Sequence, residues 1–211
     1  MGAETRRQRD RQDRHDAILD AAEAVFFSKG YERCTMHDIA RASQVSRPLL
    51  YVYFTDKLAI MHGITLRAAQ TLQARFAEAL QSSAIGAEQV EAIGHAYYRF
   101  SVEQPDYFDA LSDASSGSYQ ADAKAEVDTE LSACVGVTMQ LMVSALQRGV
   151  DDGSLSAVRV SDPMTTAYFL RGAVHGVIMQ CRSLSDVKPG HPAPDALVSY
   201  TLEMLSRSMA P

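Results

Sequence analysis

Between Thr35 and Lys57 the chain reads TMHDIARASQVSRPLLYVYFTDK, a stretch crowded with donors. Thr35 and Ser46 bring hydroxyls, His37 an imidazole, Arg47 a guanidinium, Tyr51 and Tyr53 phenols, and Lys57 an ammonium. A guanidinium can grip guanine O6 and N7 with two parallel hydrogen bonds, and apolar Pro48 and Leu49 can pack on a thymine methyl. Hydroxyl, phenol and ammonium donors suit phosphate oxygens. Such a set suits a polyanion and the bases it carries better than it suits making or breaking bonds.

A second set lies further along. Tyr97, Phe100, Tyr107, Phe108, Met139, Met142, His175 and Met179 are aromatics and methionines, side chains that suit an adaptable apolar cavity for a small molecule. His95, Arg99 and His175 are the polar groups that can orient such a ligand. The competing reading makes most of these ordinary core. Catalysis finds no support: no His, Asp, Glu or Cys stands in a Gly-x-Ser-x-Gly, P-loop, dinucleotide-binding or His-Glu-x-x-His context. ASSGSYQ at 114–120 has serines and a glycine without a strand–turn–helix setting. Cys34, Cys134 and Cys181 are an odd number, widely spaced, and form neither a zinc pattern nor a disulfide framework. No metal and no cofactor is expected. One alternative remains for Cys34, which abuts a helix start where a thiol pKa can fall and act as a redox sensor.

These donors must be positioned, and the pattern is helical throughout. Residues 1–14 are polar and Arg-rich, expected to be mobile or a frayed helix start. From His15, apolar residues recur at helical spacing to Lys29, and Gly30 stops the helix. Thr35 with Asp38 three residues on makes a capping box with a shortened acid, with Cys34 and Ile39 as a hydrophobic staple. Ser46 starts the next helix, with Val45 and Leu50 repeating the staple. Pro48 has no N–H, so the Ser46 cap must serve Leu49. Two short helices joined by Ala42–Val45 form a helix-turn-helix, whose second member fits a B-DNA major groove. Their free N–H groups favour phosphate. Thr55 or Asp56 caps a longer helix to about Ser82. Further helices are expected at 87–103, 106–114, 120–149, 163–182 and 195–208, with loops at 115–118, 151–154 and 188–194. The fold class is all-α, about nine helices.

ILDAAEAVFFSKGY, then T-M-x-D-I-A, then V-S-x-x-x-L-Y-x-Y-F-x-x-K resemble, as a combination over residues 15–60, the TetR (tetracycline-repressor-like) transcriptional regulators. Beyond residue 60 only the helical layout is similar. The resemblance implies a three-helix DNA-binding domain at 1–60 and an effector-binding and dimerisation domain at 61–211. It places DNA contacts on Thr35, His37, Ser46, Arg47, Pro48, Leu49, Tyr51 and Tyr53, with Lys57 on a backbone phosphate. It implies a homodimer on a palindromic operator of double-stranded DNA, released by an unknown small-molecule effector, with repression as the family default. Where the family usually has glycine in the turn, this chain has Gln44, a strained choice if φ is positive.

Gly172, Ala173 and Gly176 are small residues that allow close approach of another helix, and Leu197, Tyr200, Met204 and Leu205 share neighbouring faces of the last helix. Together they can supply half of a four-helix bundle across a two-fold axis. The long helix that leaves the DNA module is the natural lever between an effector and the spacing of two recognition helices, about 34–36 Å.

The net charge of −6 argues against a simple nucleic-acid binder, yet it is unevenly spread. Residues 1–60 carry +1 and residues 61–211 carry −7, which sets the N-terminal quarter apart. The first fifteen residues are too polar for a signal peptide, and no apolar window is expected to span a bilayer. A cytoplasmic protein with no membrane partner is expected. Besides redox sensing, a helical adaptor that binds no DNA is the remaining rival, and it predicts no salt-dependent DNA affinity.

Overall fold

The computed structural model describes residues 2–116, 129–183 and 192–211. Among the described residues the chain is all helical, with nine α-helices and no strand. They are α1 (Gly2–Lys29), α2 (Met36–Ala42), α3 (Arg47–Tyr53), α4 (Lys57–Leu80), α5 (Gly86–Glu103), α6 (Pro105–Ser116), α7 (Thr129–Asp151), α8 (Pro163–Ser183) and α9 (Pro194–Met209). Two compact units result. One takes the chain up to Ala68 with a segment beginning at Asp109; the other takes Ala69–Phe108 and Thr129–Pro211.

Two boundaries differ from the sequence expectation, and the choice between Thr55 and Asp56 is decided. The Arg-rich N-terminus is helical, and α1 runs back to Gly2. Arg and Ala, both strong helix formers, are its commonest residues, and no proline or internal glycine interrupts it. Ser115 and Ser116 close α6 rather than opening a loop, while Gly117 and Ser118, the expected start of the long helix at 120–128, and most of the loop at 188–194 lie outside the described residues. Asp56, not Thr55, caps α4, accepting from the Ala59 N–H at 2.7 Å.

In the first unit, Ile18, Leu19, Ala22 and Phe26 form one buried stripe of α1 beside buried Ile39, Leu50, Phe54, Ile60 and Ile64. Gly30 ends α1 at φ +80°, where a side chain would be strained, and returns its N–H to the Phe26 carbonyl at 2.8 Å. Arg67 fastens α4 to α1: its guanidinium reaches Asp20 at 2.6 Å, Glu23 at 3.1 Å and Asp16 at 3.3 Å.

The core of the second unit gathers Phe76, Ile93, Ala96, Met139, Met142, Leu146, Ala167 and Leu170 from four helices. Helices α5 and α7 touch backbone to backbone, since a Cβ on Gly86 would fall 2.0 Å from the Gly149 nitrogen. Ile85 offers α5 no side-chain cap. The turn after α7 supplies one instead: the Gly86 N–H donates to Asp152 at 2.8 Å and the Ala87 N–H to Ser154 at 3.0 Å. Contrary to the sequence expectation, α7 is long and apolar enough by composition to cross a bilayer, with mean hydropathy 1.3. The physical account is local. Its apolar residues Met139, Met142, Val143 and Leu146 are buried in this core.

Candidate nucleic-acid interface

Helix α2 begins with a complete reciprocal cap. Thr35 Oγ1 accepts from the Asp38 N–H at 3.2 Å, and Asp38 accepts from the Thr35 N–H at 3.1 Å and from its hydroxyl at 2.7 Å. Lys29 adds an ion pair to Asp38 at 2.8 Å. Hydrogen bonds from Lys29 and then Thr35 hold the Asp38 carboxyl well below the usual carboxylate range. Thr35 therefore donates its hydroxyl proton inside the cap, which leaves its oxygen as cap acceptor rather than phosphate donor.

The turn closes as a two-bond C-terminal motif. The Val45 N–H donates to the Ala40 carbonyl at 3.0 Å, and the Gln44 N–H to Arg41 at 3.3 Å. This pattern requires a left-handed residue just past the helix, and Gln44 takes it at φ +55°, the only non-glycine residue in that region among those described. The expected strain at Gln44 is present. Ser46 then caps α3, accepting from the Leu49 N–H at 3.3 Å as the missing N–H of Pro48 requires. The Ser46 hydroxyl proton remains available for a phosphate.

Exposure sorts the remaining residues. His37, Ser46, Arg47, Pro48 and Tyr51 are exposed, and Leu49 and Tyr53 partly so. Leu50 is fully buried and anchors α3 from beneath. Phe54 stacks on His15 at 4.7 Å between ring centroids, which ties the end of α3 to α1. Lys57 opens α4 as expected, but its ammonium already donates to the Tyr31 carbonyl at 2.9 Å and lies 4.1 Å from the centre of that ring. An ammonium has three donors, and one is engaged here.

Cys34 is buried, and burial, then Asp38, push its thiol above the ordinary value rather than below it. Burial likewise raises Cys134 and Cys181. The helix-start argument for a reactive Cys34 gains no support here, because burial and the Asp38 carboxylate both disfavour the thiolate.

In the second unit, three members of the aromatic set come together. The Tyr97 hydroxyl and His175 Nδ1 are 2.8 Å apart, and Phe108 lies 5.6 Å from the Tyr97 ring and 5.4 Å from His175. Burial pushes the Tyr97 hydroxyl up to about 12, opposed by Arg171. Burial, then Arg171, hold His175 below its ordinary range. Phe100 is fully buried with the Arg75 guanidinium 5.6 Å from its ring centre, and Met139 and Met142 belong to the core. Tyr107 is partly buried and Met179 is exposed. His95 is half-exposed, 3.8 Å from Glu91, and Arg99 is exposed, so neither joins the Tyr97–His175 group.

Gly172 and Gly176 are exposed, and a Cβ at either would meet nothing within 4 Å. Tyr168, Phe169, Met179, Tyr200 and Met204 are exposed large apolar side chains of α8 and α9. Ala173, Leu197 and Leu205 are partly buried. Sequence reasoning missed Tyr168 and Phe169, although they stand one turn before Gly172 on the same helix.

A capped helix-turn-helix ahead of an all-α second unit defines a DNA-binding transcription regulator. Residues 18–64 match the family model for bacterial regulatory proteins of the tetR family, and residues 90–205 match the tetracyclin repressor-like C-terminal domain. The chain belongs to the TetR family, whose members are transcription regulators rather than enzymes. Among curated relatives, it is 30% identical over 90 residues to the transcriptional activator FasR of Mycolicibacterium smegmatis, covering 43% of this chain and 41% of that protein. It is 43% identical over 53 residues to the transcriptional repressor BepR of Brucella suis, covering 25% of each. The chain thus matches less than half the length of these relatives. The fold also matches the regulator FadR of Bacillus subtilis in complex with stearoyl-CoA, with TM-score 0.70 at 16% identity over 92% of this chain and 98% of that one.

Proposed function

We propose that this chain is a ligand-responsive dimeric repressor that binds a palindromic operator and leaves it when a small molecule occupies the C-terminal domain. The observation that carries the reading is α3: Leu50 is buried, while Ser46, Arg47, Pro48 and Tyr51 stand exposed beyond a turn closed by backbone hydrogen bonds. In this reading residues 1–60 read DNA and residues 61–211 bind effector and partner. Arg47 contacts guanine, Pro48 and Leu49 a thymine methyl, and Ser46, Tyr51, Tyr53 and Lys57 phosphates, with His37 at the flank. Thr35 serves chiefly as the cap.

The dimer reading draws support from the exposed apolar side chains of α8 and α9 around Gly172 and Gly176. Isolated exposed apolar residues are ordinary, but Tyr168 and Phe169 on α8 with Tyr200 and Met204 on α9 are four large ones that a second copy would cover. The effector reading draws support from Tyr97, Phe108 and His175, where polar donors meet aromatic rings. A ligand that prefers a spacing other than one helical turn between recognition helices would weaken operator binding by its differential affinity, with α4 as the lever. Relatives include an activator and a repressor, and we take repression as the family default. The redox alternative is set aside because the Cys34 thiol is buried and raised.

The test is selection of bound duplexes from random DNA with the purified protein. An enriched palindrome is expected. No enrichment at low salt from folded protein would refute the reading and favour the adaptor. The stearoyl-CoA held by the structural relative is a reasonable first ligand for release from the selected operator.

A further inference from the structure

The strongest unexplained feature is a groove of about 530 Å³ lined by Arg7, Gln8, Arg11, Gln12, His15 and Tyr53. We infer that it is a second DNA-contact site, in which Arg7 and Arg11 of α1 with the Tyr53 hydroxyl hold the backbone phosphates that flank each half-site. The inference rests on the proposed DNA reading and deepens it. The family match begins at residue 18, so this part of α1 lies outside the segment that the family model describes.

Helical geometry gathers the cations. At 3.6 residues per turn, Arg7, Arg11 and His15 fall within an arc of roughly 80°; Asp10 and Asp13 lie roughly 100° and 160° from its centre, and Glu4 is the one acid of α1 ahead of Asp10, one turn before Arg7 on the same face. The neighbouring carboxylate, Asp16, touches the groove only through Gln12 at 3.1 Å and His15 at 3.2 Å, and its charge is met by Arg67 at 3.3 Å. Arg7 and Arg11 are exposed, and neither they nor Tyr53 makes a side-chain hydrogen bond or ion pair among the described residues. The groove therefore presents two guanidinium groups with no ion pair among the described residues, and a phenol, on a chain of net charge −6.

The occupant follows from energetics. Exposed guanidinium groups hold a lone small anion weakly in water, because solvent and salt screen the pair. A polyanion binds better there, since each neutralised phosphate releases condensed counterions. Tyr53 ends α3 and belongs to the same groove, so a backbone that α3 contacts passes the two arginines. Arginine also suits phosphate through its planar fork.

The experiment compares wild type, the double variant Arg7→Gln/Arg11→Gln and the control Arg9→Gln, whose residue lies on the opposite side of α1. Operator affinity is measured from 50 to 200 mM salt on the selected duplex with long flanks, and on one trimmed to its half-sites. Each lost phosphate contact lowers the magnitude of the log–log salt slope by about 0.9, roughly a threefold to fourfold change in affinity response across that range. The expected result is a slope reduced by up to about two contacts per protomer on the long duplex, unchanged half-site preference, and no difference on the trimmed duplex. Arg9→Gln should match wild type. Equal slopes for wild type and the double variant on the long duplex would overturn the inference while leaving the DNA reading intact. Equal slopes together with weaker binding of inorganic phosphate by the double variant would reassign the groove to a small anion. No salt-dependent DNA affinity in the wild type would overturn both readings.

Discussion

Gln44→Gly is a substitution whose sign the backbone sets in advance. Gln44 sits at φ +55° because the Val45-to-Ala40 and Gln44-to-Arg41 hydrogen bonds close α2 only with a left-handed residue at that point. An L-residue there costs about 1–2 kcal/mol through the clash of Cβ with backbone. Glycine removes that cost but adds freedom to the unfolded chain, which takes back about 0.4–1 kcal/mol. The Gln44 side chain is exposed and makes no side-chain hydrogen bond or ion pair among the described residues, so little else is lost. The net expectation is a gain of ~0.5–1 kcal/mol, or about 1–4 °C in melting temperature for a chain of this size. Urea and thermal unfolding of Gln44→Gly and Gln44→Ala together provide the assay. Alanine keeps the Cβ clash, so it should stay within about 0.5 kcal/mol of wild type. A glycine variant no more stable than wild type, or an alanine variant equally stabilised, would refute the strain argument. Operator affinity should be unchanged in both, since Gln44 is not placed against DNA.

Thr35→Ala removes one half of the α2 capping box and should cost ~0.5–2 kcal/mol in chemical unfolding. Asp38 has a folded pKa below its unfolded one, so its contribution is present above the ordinary carboxylate range and lost as pH falls through the lower folded value. The stability gap between wild type and Asp38→Asn should accordingly be full near neutrality and close in acid; a gap that widens below pH ~4 contradicts that assignment. Gly86→Ala drives a Cβ into the Gly149 backbone, which cannot swing aside, and should destabilise the second unit by ~1–3 kcal/mol or more, read by calorimetry. Phe169→Glu with Tyr200→Glu should shift the protein from dimer to monomer in analytical ultracentrifugation if α8 and α9 carry the interface. Arg47→Ala should lose about 1–3 kcal/mol of discrimination at one base position of the selected operator, with weaker effect on random DNA.

What the sequence determined by itself is local. The capping box at Thr35, the Ser46 cap displaced to Leu49 by Pro48, the stop at Gly30 and the strain at Gln44 all arise between residues a few positions apart, so neighbours along the chain encode them. The buried stripe of α1 was legible for the same reason, through helical period. Family resemblance over residues 15–60 rested on sequence motifs that include Thr35, Ser46 and Gly30, with Gln44 as a departure from them. Tertiary structure decided what depends on distance through space. It gave Lys57 to Tyr31 across 26 positions and the α5 start to Asp152 and Ser154 across 66 and 67. It put Met139 and Met142 in the core, and brought His175 to Tyr97. It also ran α1 back through the arginines to place Arg7 and Arg11 beside Tyr53, because helix propensity carries a side chain forward but only packing fixes what it faces.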